Sequence, residues 1–333
     1  MELRFLGTSA GTPSRHRNVS SLALRREDGL VWIFDCGEGT QQQILRSSIK
    51  PSSIDRIFLT HLHGDHSYGL FGLISALAVH GRGRRPLAVV GPKGLRDMLT
   101  CVLRCSHAHF AFPLEIEEID GADWQGSLDG WQIQARPLQH RAPCFGYALQ
   151  EPPGLGRLNR ERAEALGIPP GPERGRLVRG ESITLADGRQ IHPEMAVEPA
   201  KPGRRIVILG DTSDSRAIYE AGAGADILVH EATFTGDLEA KAREWGHSTA
   251  AMAGDCARDM GVAHLVLTHF SSRYGDHGED WQRARATLIA EAADRCPGVH
   301  VHAAEDFAIA SLARRADAES QPALHWRRDE AQS

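Results

Sequence analysis

The sequence predicts a layered α/β architecture in which sheets are covered by helices. Three observations lead there: short apolar runs bounded by Gly, Asp and Ser recur along the chain, helix-like segments lie between several of them, and the two kinds alternate through most of the 333 residues. The runs Leu3 to Leu6, Ser21 to Leu24, Val31 to Phe34, Arg56 to Leu59, Leu87 to Val90, Ile133 to Ala135, Ile206 to Leu209, Ile227 to Val229 and Leu265 to Leu267 are short and bounded by turn residues, as buried strands are. Gly39 to Arg46, His66 to Val79, Gly94 to Leu103, Arg216 to Ala221, Ser248 to Met260 and Trp281 to Arg295 read as helices between them.

With 41% apolar and 24% charged residues the chain falls in the soluble globular class. Its most apolar stretches, residues 73–79 and 206–209, are far shorter than the roughly 20 residues a membrane span needs. Met1 to Leu6 alternate polar and apolar and lead into a Gly/Ser/Thr loop without a secretory run, so a cytoplasmic protein is expected. Six scattered cysteines with no CxxC pair suit free thiols in a reducing compartment. Cys101 and Cys105, at i, i+4 spacing, read as small hydrophobes on one buried helix face. The net charge of −5 argues mildly against nucleic-acid binding, an objection that only local charge can meet. The seventeen histidines are the compositional anomaly.

Residues 152–203 interrupt the alternation with eight prolines among many glycines, which excludes regular sheet or a long helix. Between Gly154 and Arg205 stand ten Lys/Arg against seven Asp/Glu, an excess of +3 in a chain of −5. A long structure-poor insertion of this kind in a compact enzyme is usually functional or disordered. The polar segment 316–333 reads as a disordered tail.

The sharpest chemical signal follows the run ending at Leu59: Thr60, His61, Leu62, His63, Gly64, Asp65, His66. Alternate residues of an extended segment point the same way, so His61 and His63 can grip one ion. Gly64 lets the chain turn, and Asp65 and His66 can then reach a second. Imidazole and carboxylate donors suit zinc or another borderline metal. His140, Asp211 and His269 also stand at strand ends. Alone each reads as a cap or turn residue; beside the first cluster they complete five histidines and two aspartates, enough for two ions bridged by one carboxylate, an arrangement typical of phosphoester hydrolysis.

These residues and intervals resemble the metallo-β-lactamase superfamily, which implies an α/β fold of the αβ/βα four-layer sandwich type. Finer motifs narrow the resemblance to the ribonuclease Z family, endonucleases that mature tRNA 3′ ends: Phe5-Leu6-Gly7-Thr8, Pro13 to Asn18, Phe34-Asp35-Cys36-Gly37-Glu38, His230-Glu231-Ala232-Thr233-Phe234, His247-Ser248-Thr249, Thr268 to Tyr274 and Ala304-Glu305-Asp306-Phe307. The resemblance implies two Zn2+ per subunit, with Mn2+ or another divalent ion as substitutes: His61, His63 and His140 hold the first, Asp65, His66 and His269 the second, and Asp211 bridges. It further implies that Asp65 orients or deprotonates the attacking water, and that His247, positioned by Glu231, protonates the leaving 3′ oxygen. A histidine of ordinary pKa beside a carboxylate is a suitable general acid. Read alone, His247 is a neighbour of a helix N-cap, Glu231 a surface acid and His230 a buried structural histidine.

For substrate binding the resemblance implicates the basic tip Arg15, His16 and Arg17, with Arg15 where many members carry lysine, and the stretch Ser271, Ser272 and Arg273. The helix start near Gly39, after Asp35 and Gly37, offers backbone amides to phosphates. Segment 152–203 resembles the family's flexible arm, an exosite for tRNA inserted in a catalytic domain spanning 1–315. The family also implies a homodimer. The expected activity is removal of the 3′ trailer from precursor tRNA, leaving a 3′-hydroxyl on the tRNA and a 5′-phosphate on the trailer, without a membrane partner. The rival readings are a small-molecule phosphodiesterase or arylsulfatase on the same fold, which has no need of a basic arm, and a catalytically dead RNA-binding scaffold.

Overall fold

The computed structural model describes residues 1–80, 83–121, 123–317 and 320–329. In chain order its strands are β1 (Glu2–Gly7), β2 (Ser21–Arg25), β3 (Val31–Phe34), β4 (Ile54–Phe58), β5 (Leu87–Pro92), β6 (Leu114–Ile119), β7 (Trp124–Leu128), β8 (Trp131–Leu138), β9 (Cys144–Gln150), β10 (Ile183–Thr184), β11 (Gln190–Ile191), β12 (Arg205–Leu209), β13 (Ile227–Glu231), β14 (His264–Thr268), β15 (His300–Ala303), β16 (Ala308–Leu312) and β17 (Leu324–Arg328). One sheet has the order β17-β16-β1-β2-β3-β4-β5-β6, the other β15-β14-β13-β12-β9-β8-β7, and β10 and β11 form a separate two-stranded pair. Strands β3 to β6 run parallel, as do β12 to β15.

Burial follows position in the sheet. Strands β3, β5 and β13 are buried at every residue, as continuous apolar runs covered on both faces must be, whereas β6 and β7, at the sheet edges, alternate. The two sheets pack face to face through Phe5, Trp32 and Phe58 of the first and Ile133, Tyr147, Ile206 and Val229 of the second. The Tyr147 hydroxyl, buried in that seam, donates to the Leu59 carbonyl at 2.7 Å. Helices Thr40–Leu45, Leu70–Val79 and Leu95–Cys105 cover the outer face of the first sheet, and Ala250–Met260 and Gly278–Arg295 that of the second. The result is the expected four layers.

Four expectations are corrected. The helix expected over His66 to Val79 is two helices, Gly64–Ser67 and Leu70–Val79. Between them Gly69 lies so close to the Gly37 carbonyl that a Cβ there would fall 1.9 Å from its oxygen, and a Cβ on Gly37 would fall 2.2 Å from the Asp65 carbonyl oxygen. Both positions require glycine, and their close approach seats the Asp65–His66 turn. The tail expected to be disordered instead supplies β17, which pairs antiparallel with β16; alternate residues Leu324 and Trp326 pack on the sheet-to-sheet core, and charge on the intervening positions hid the pattern. Residues 318, 319 and 330–333 lie outside the described residues. Cys101 and Cys105 are exposed, because their helix turns Leu95 and Leu99 inward.

The fourth concerns 152–203. No regular sheet or long helix forms there: short helices Arg160–Ala165, Pro172–Val178 and Pro193–Ala196 and the β10–β11 hairpin enclose a small core of their own, Ala163, Ile168, Leu177, Ile183, Ile191 and Ala196. The charge excess shrinks, however. Arg204 and Arg205 belong to the base of the segment, and over 154–203 eight Lys/Arg face seven Asp/Glu, leaving +1.

The base is closed by a buried ion pair. Arg204 gives Nε to Glu151 Oε2 at 2.7 Å and Nη2 to Oε1 at 2.5 Å, and Nη1 to the Leu312 carbonyl at 2.8 Å. Both side chains are at most 4% exposed, and each has a second partner: Arg204 Nη2 also reaches Glu27 Oε1 at 2.5 Å, and Arg314 Nη2 reaches Glu151 Oε1 at 2.9 Å. Because Arg314 still faces Glu151, Arg204→Met should cost less in denaturant unfolding than the about 3–5 kcal/mol of a buried charge left wholly unpaired, and adding Arg314→Met should bring the loss into that range. A double-variant loss below about 1 kcal/mol would show that Glu151 finds water.

Candidate metal centre

All the expected ligands come from strand C-termini on one rim. His61, His63, Asp65 and His66 follow β4, His140 follows β8, Asp211 follows β12 and His269 follows β14, so both sheets contribute. Their donor atoms form two groups sharing one carboxylate. In the first, His63 Nδ1 lies 3.0 Å from His61 Nε2 and 3.1 Å from His140 Nε2, while Asp211 Oδ2 is 3.8 and 4.0 Å from those Nε2 atoms. In the second, His66 Nε2 lies 3.3 Å from His269 Nε2, 3.5 Å from Asp65 Oδ2 and 3.3 Å from Asp211 Oδ1. His269 Nε2 is in turn 3.4 Å from Asp65 Oδ2 and 3.5 Å from Asp211 Oδ1. Ligands about 2.0–2.1 Å from a tetrahedral zinc stand roughly 3.3 Å apart, close to these spacings.

The hydrogen bonds behind the donors test whether a cation fits. His66 Nδ1 donates to Asp35 Oδ2 at 2.7 Å, and Asp35 also accepts from the Thr60 amide and hydroxyl at 2.7 and 2.8 Å. His61 Nδ1 donates to that hydroxyl at 3.0 Å, and His140 Nδ1 to the Gly246 carbonyl at 2.7 Å. His269 Nδ1 donates to Thr233 Oγ1 at 2.9 Å, which passes its own proton to Glu231 Oε2 at 2.5 Å. Four imidazoles are thus held with Nδ1 protonated and the Nε2 lone pair aimed into the cluster, as ligating histidines are. Such converging lone pairs and carboxylates fit a divalent cation. Asp35 and His269 both adopt left-handed backbone, each with φ 58°.

Electrostatics agree with the geometry. Burial opposes ionisation of Asp211, but His269, His66 and His61 around it bring its pKa well below the ordinary carboxylate value. Glu231 is lowered too: burial raises it, and the adjacent His247 more than offsets this. His247 Nδ1 lies 3.2 Å from Glu231 Oε2 and 3.7 Å from Asp211 Oδ2. Burial pulls its pKa down, yet the charge and hydrogen bond of Glu231, with Asp211 beyond, raise it to about 9. Glu231 is no surface acid but is buried at the end of β13, where its Oε1 accepts the Thr212 amide at 2.6 Å. The helix N-cap is Thr249, whose side chain accepts from the Met252 amide, so His247 stays turned to the cluster. His230 is fully buried, with Nδ1 bonded to the Glu231 carbonyl at 2.8 Å.

The expected substrate contacts fare unevenly. Arg15 and Arg273 are exposed and Ser271 is half-buried beside Arg273, whose Nε reaches Ser271 Oγ at 3.2 Å. Arg17 is a correction: it turns inward, its guanidinium 3.7 Å from the centroid of the Trp281 ring, and donates to Thr8 Oγ1 at 2.8 Å. It is a strut beneath the loop, because stacking on Trp281 offers a buried guanidinium a cation–π partner that an outward rotamer would lose. Sequence reasoning passed over Thr60 and Thr233; a hydroxyl beside a histidine cluster was the available signal, but nothing local says which ring it meets.

Comparison with known proteins assigns the class: residues 15–100 match the Metallo-beta-lactamase superfamily and residues 180–270 the Beta-lactamase superfamily domain. The fold and the divalent-metal chemistry it implies are therefore those of that superfamily. A ribonuclease Z of Brevibacillus brevis is 42% identical over 316 residues, covering 94% of this chain and 98% of its own. Ribonuclease BN of Escherichia coli is 44% identical over 283 residues, covering 84% and 92%. The crystal structure of human tRNase Z, short form, superposes with a TM-score of 0.67 at 30% identity, covering 93% of this chain and 99% of that one. The chain belongs to the ribonuclease Z family, the tRNA 3′ endonucleases.

Proposed function

We propose that the chain is a di-zinc phosphodiesterase that cuts precursor tRNA after the discriminator nucleotide, leaving a 3′-hydroxyl on the tRNA and a 5′-phosphate on the trailer. The observation that carries this reading is the His247–Glu231 pair set against Asp211, the carboxylate shared by both donor groups. His61, His63, His140 and Asp211 would hold one ion, and Asp65, His66, His269 and Asp211 the other. When bound, two such ions supply Lewis acidity toward the scissile phosphate and toward water. Asp65, fixed by the Gly11 amide at 2.8 Å from its Oδ2, orients the attacking water and accepts its proton. Glu231 occupies His247 Nδ1, so the proton given to the leaving 3′ oxygen comes from Nε2.

Arg15, Ser271 and Arg273 stand on the same rim and would contact RNA phosphates, and segment 152–203 would grip the tRNA body away from the scissile bond. A homodimer in the cytoplasm completes the reading; the exposed Leu45, Tyr68 and Val79 on the outer helices offer apolar surface for a second subunit, and no described helix is long and apolar enough to cross a membrane.

Incubating the protein with labelled precursor tRNAs, with and without encoded CCA, and mapping the ends tests the assignment. A single cut after the discriminator supports it. No cut with zinc or manganese supplied, together with turnover of a small phosphodiester or aryl sulfate, would favour the small-molecule reading. Metal content should approach two ions per chain by elemental analysis, and chelation should abolish activity reversibly. His63→Ala should lose metal while the exposed His325 on β17 should be silent when replaced. One ion or none in a folded, metal-replete sample would refute the two-ion site.

A further inference from the structure

We propose that His16, Asp276 and His277 form a third divalent-cation site, which clamps the 14–18 loop to the 271–278 loop. One ligand atom from each of the three side chains lies within 4.8 Å of the others, and none of them belongs to the two donor groups above. The Asp276 carboxylate is aimed by both neighbours: Oδ2 accepts the His16 amide at 3.1 Å and Oδ1 accepts His277 Nδ1 at 3.0 Å. The two imidazoles lie beside it with ring centroids 4.0 Å apart.

Residues 260 positions apart in sequence therefore meet in a three-donor cluster on the surface. The backbone prepares the meeting, since Ser9 bridges Phe270 and the Ala10 amide donates to the Phe270 carbonyl at 3.0 Å, so both loops leave a common anchor beside His269. Glu279 and Asp280, in the first turn of the following helix, add negative charge nearby. Two imidazole nitrogens and one carboxylate oxygen select a borderline ion such as zinc, cobalt or nickel over magnesium or calcium, which prefer an all-oxygen shell. His277 has 69% of its side chain exposed, so water completes the shell and the ion exchanges freely. Occupancy would stiffen the loop that carries Arg15 without touching the reacting groups.

Equilibrium dialysis of the two-ion holoenzyme against micromolar zinc tests this. A third equivalent should bind, and His16→Asn/His277→Asn should weaken it at least tenfold while the first two remain. The exposed single variant His277→Asn should show the same loss, which guards against a folding defect in the double variant. His107→Asn/His109→Asn, in another exposed histidine pair, should retain the third equivalent. Absence of a third equivalent from the wild type, or its persistence at wild-type affinity without His16 and His277, would overturn the proposal.

Discussion

His247→Ala should slow single-turnover cleavage of precursor tRNA by on the order of 10²- to 10⁴-fold, the usual contribution of a general acid, while tRNA affinity and metal content stay near those of the wild type. The separation is expected because the Nδ1 that His247 turns toward the cluster is engaged by Glu231, 3.2 Å from its Oε2, and so is not free to serve as a donor. Asp65→Ala should be as damaging, yet distinguishable. Asp65 contributes an oxygen to the second donor group, so its loss should also raise the metal concentration needed for residual activity. Near-normal single-turnover cleavage by the His247 variant would remove that residue from the mechanism.

Deletion of residues 155–200, bridged by a short Gly/Ser linker, should abolish precursor tRNA cleavage and spare hydrolysis of a small activated phosphodiester. The break points suit the test: the Gly154 amide donates to the Lys201 carbonyl at 2.9 Å, so the linker has little distance to span. The deleted segment packs on its own apolar cluster and contains no donor of the metal centre, so the shortened protein should fold and bind its ions. With only +1 net charge over residues 154–203, the salt dependence of tRNA affinity should become shallower by a modest amount, because each phosphate that the segment neutralises accounts for just under one unit of slope. Unchanged tRNA cleavage, or abolished small-substrate hydrolysis in a folded, metal-loaded protein, would defeat the exosite assignment.

The centre was legible because four of its seven donors sit within six residues and the other three follow apolar runs at strand ends; Asp211 and His269 follow strands of the parallel part of the second sheet, where such sheets present their loops, and His140 follows the antiparallel β8. The central strands were legible for a similar local reason, as unbroken Val/Ile/Leu runs. What escaped depended on partners far away in sequence. Nothing near Asp35 announces that it serves His66, and nothing near Thr233 that it links His269 to Glu231. Arg17 reads as surface charge between Arg15 and Asn18 until Trp281 arrives from the far end of the chain. Residues 324–328 carry three charged or polar side chains in five, and only their pairing with β16 shows that Leu324 and Trp326 share one face. The +3 counted from Gly154 to Arg205 falls to +1 once the two arginines at the segment's base are set aside, of which Arg204 is held by Glu151.

The left-handed backbone at Asp35 and His269 changes how substitutions there should be interpreted. Aspartate tolerates that conformation better than most residues with a side chain, whereas alanine is penalised by about 1–2 kcal/mol. Alanine variants would therefore confound two effects at these sites, loss of a functional group and a chain forced to reroute at a strand end. Asparagine keeps the conformational tolerance while removing the charge of Asp35 or the imidazole of His269. The asparagine variant isolates the chemistry, and its difference from alanine measures how much of each phenotype belongs to the direction of the main chain.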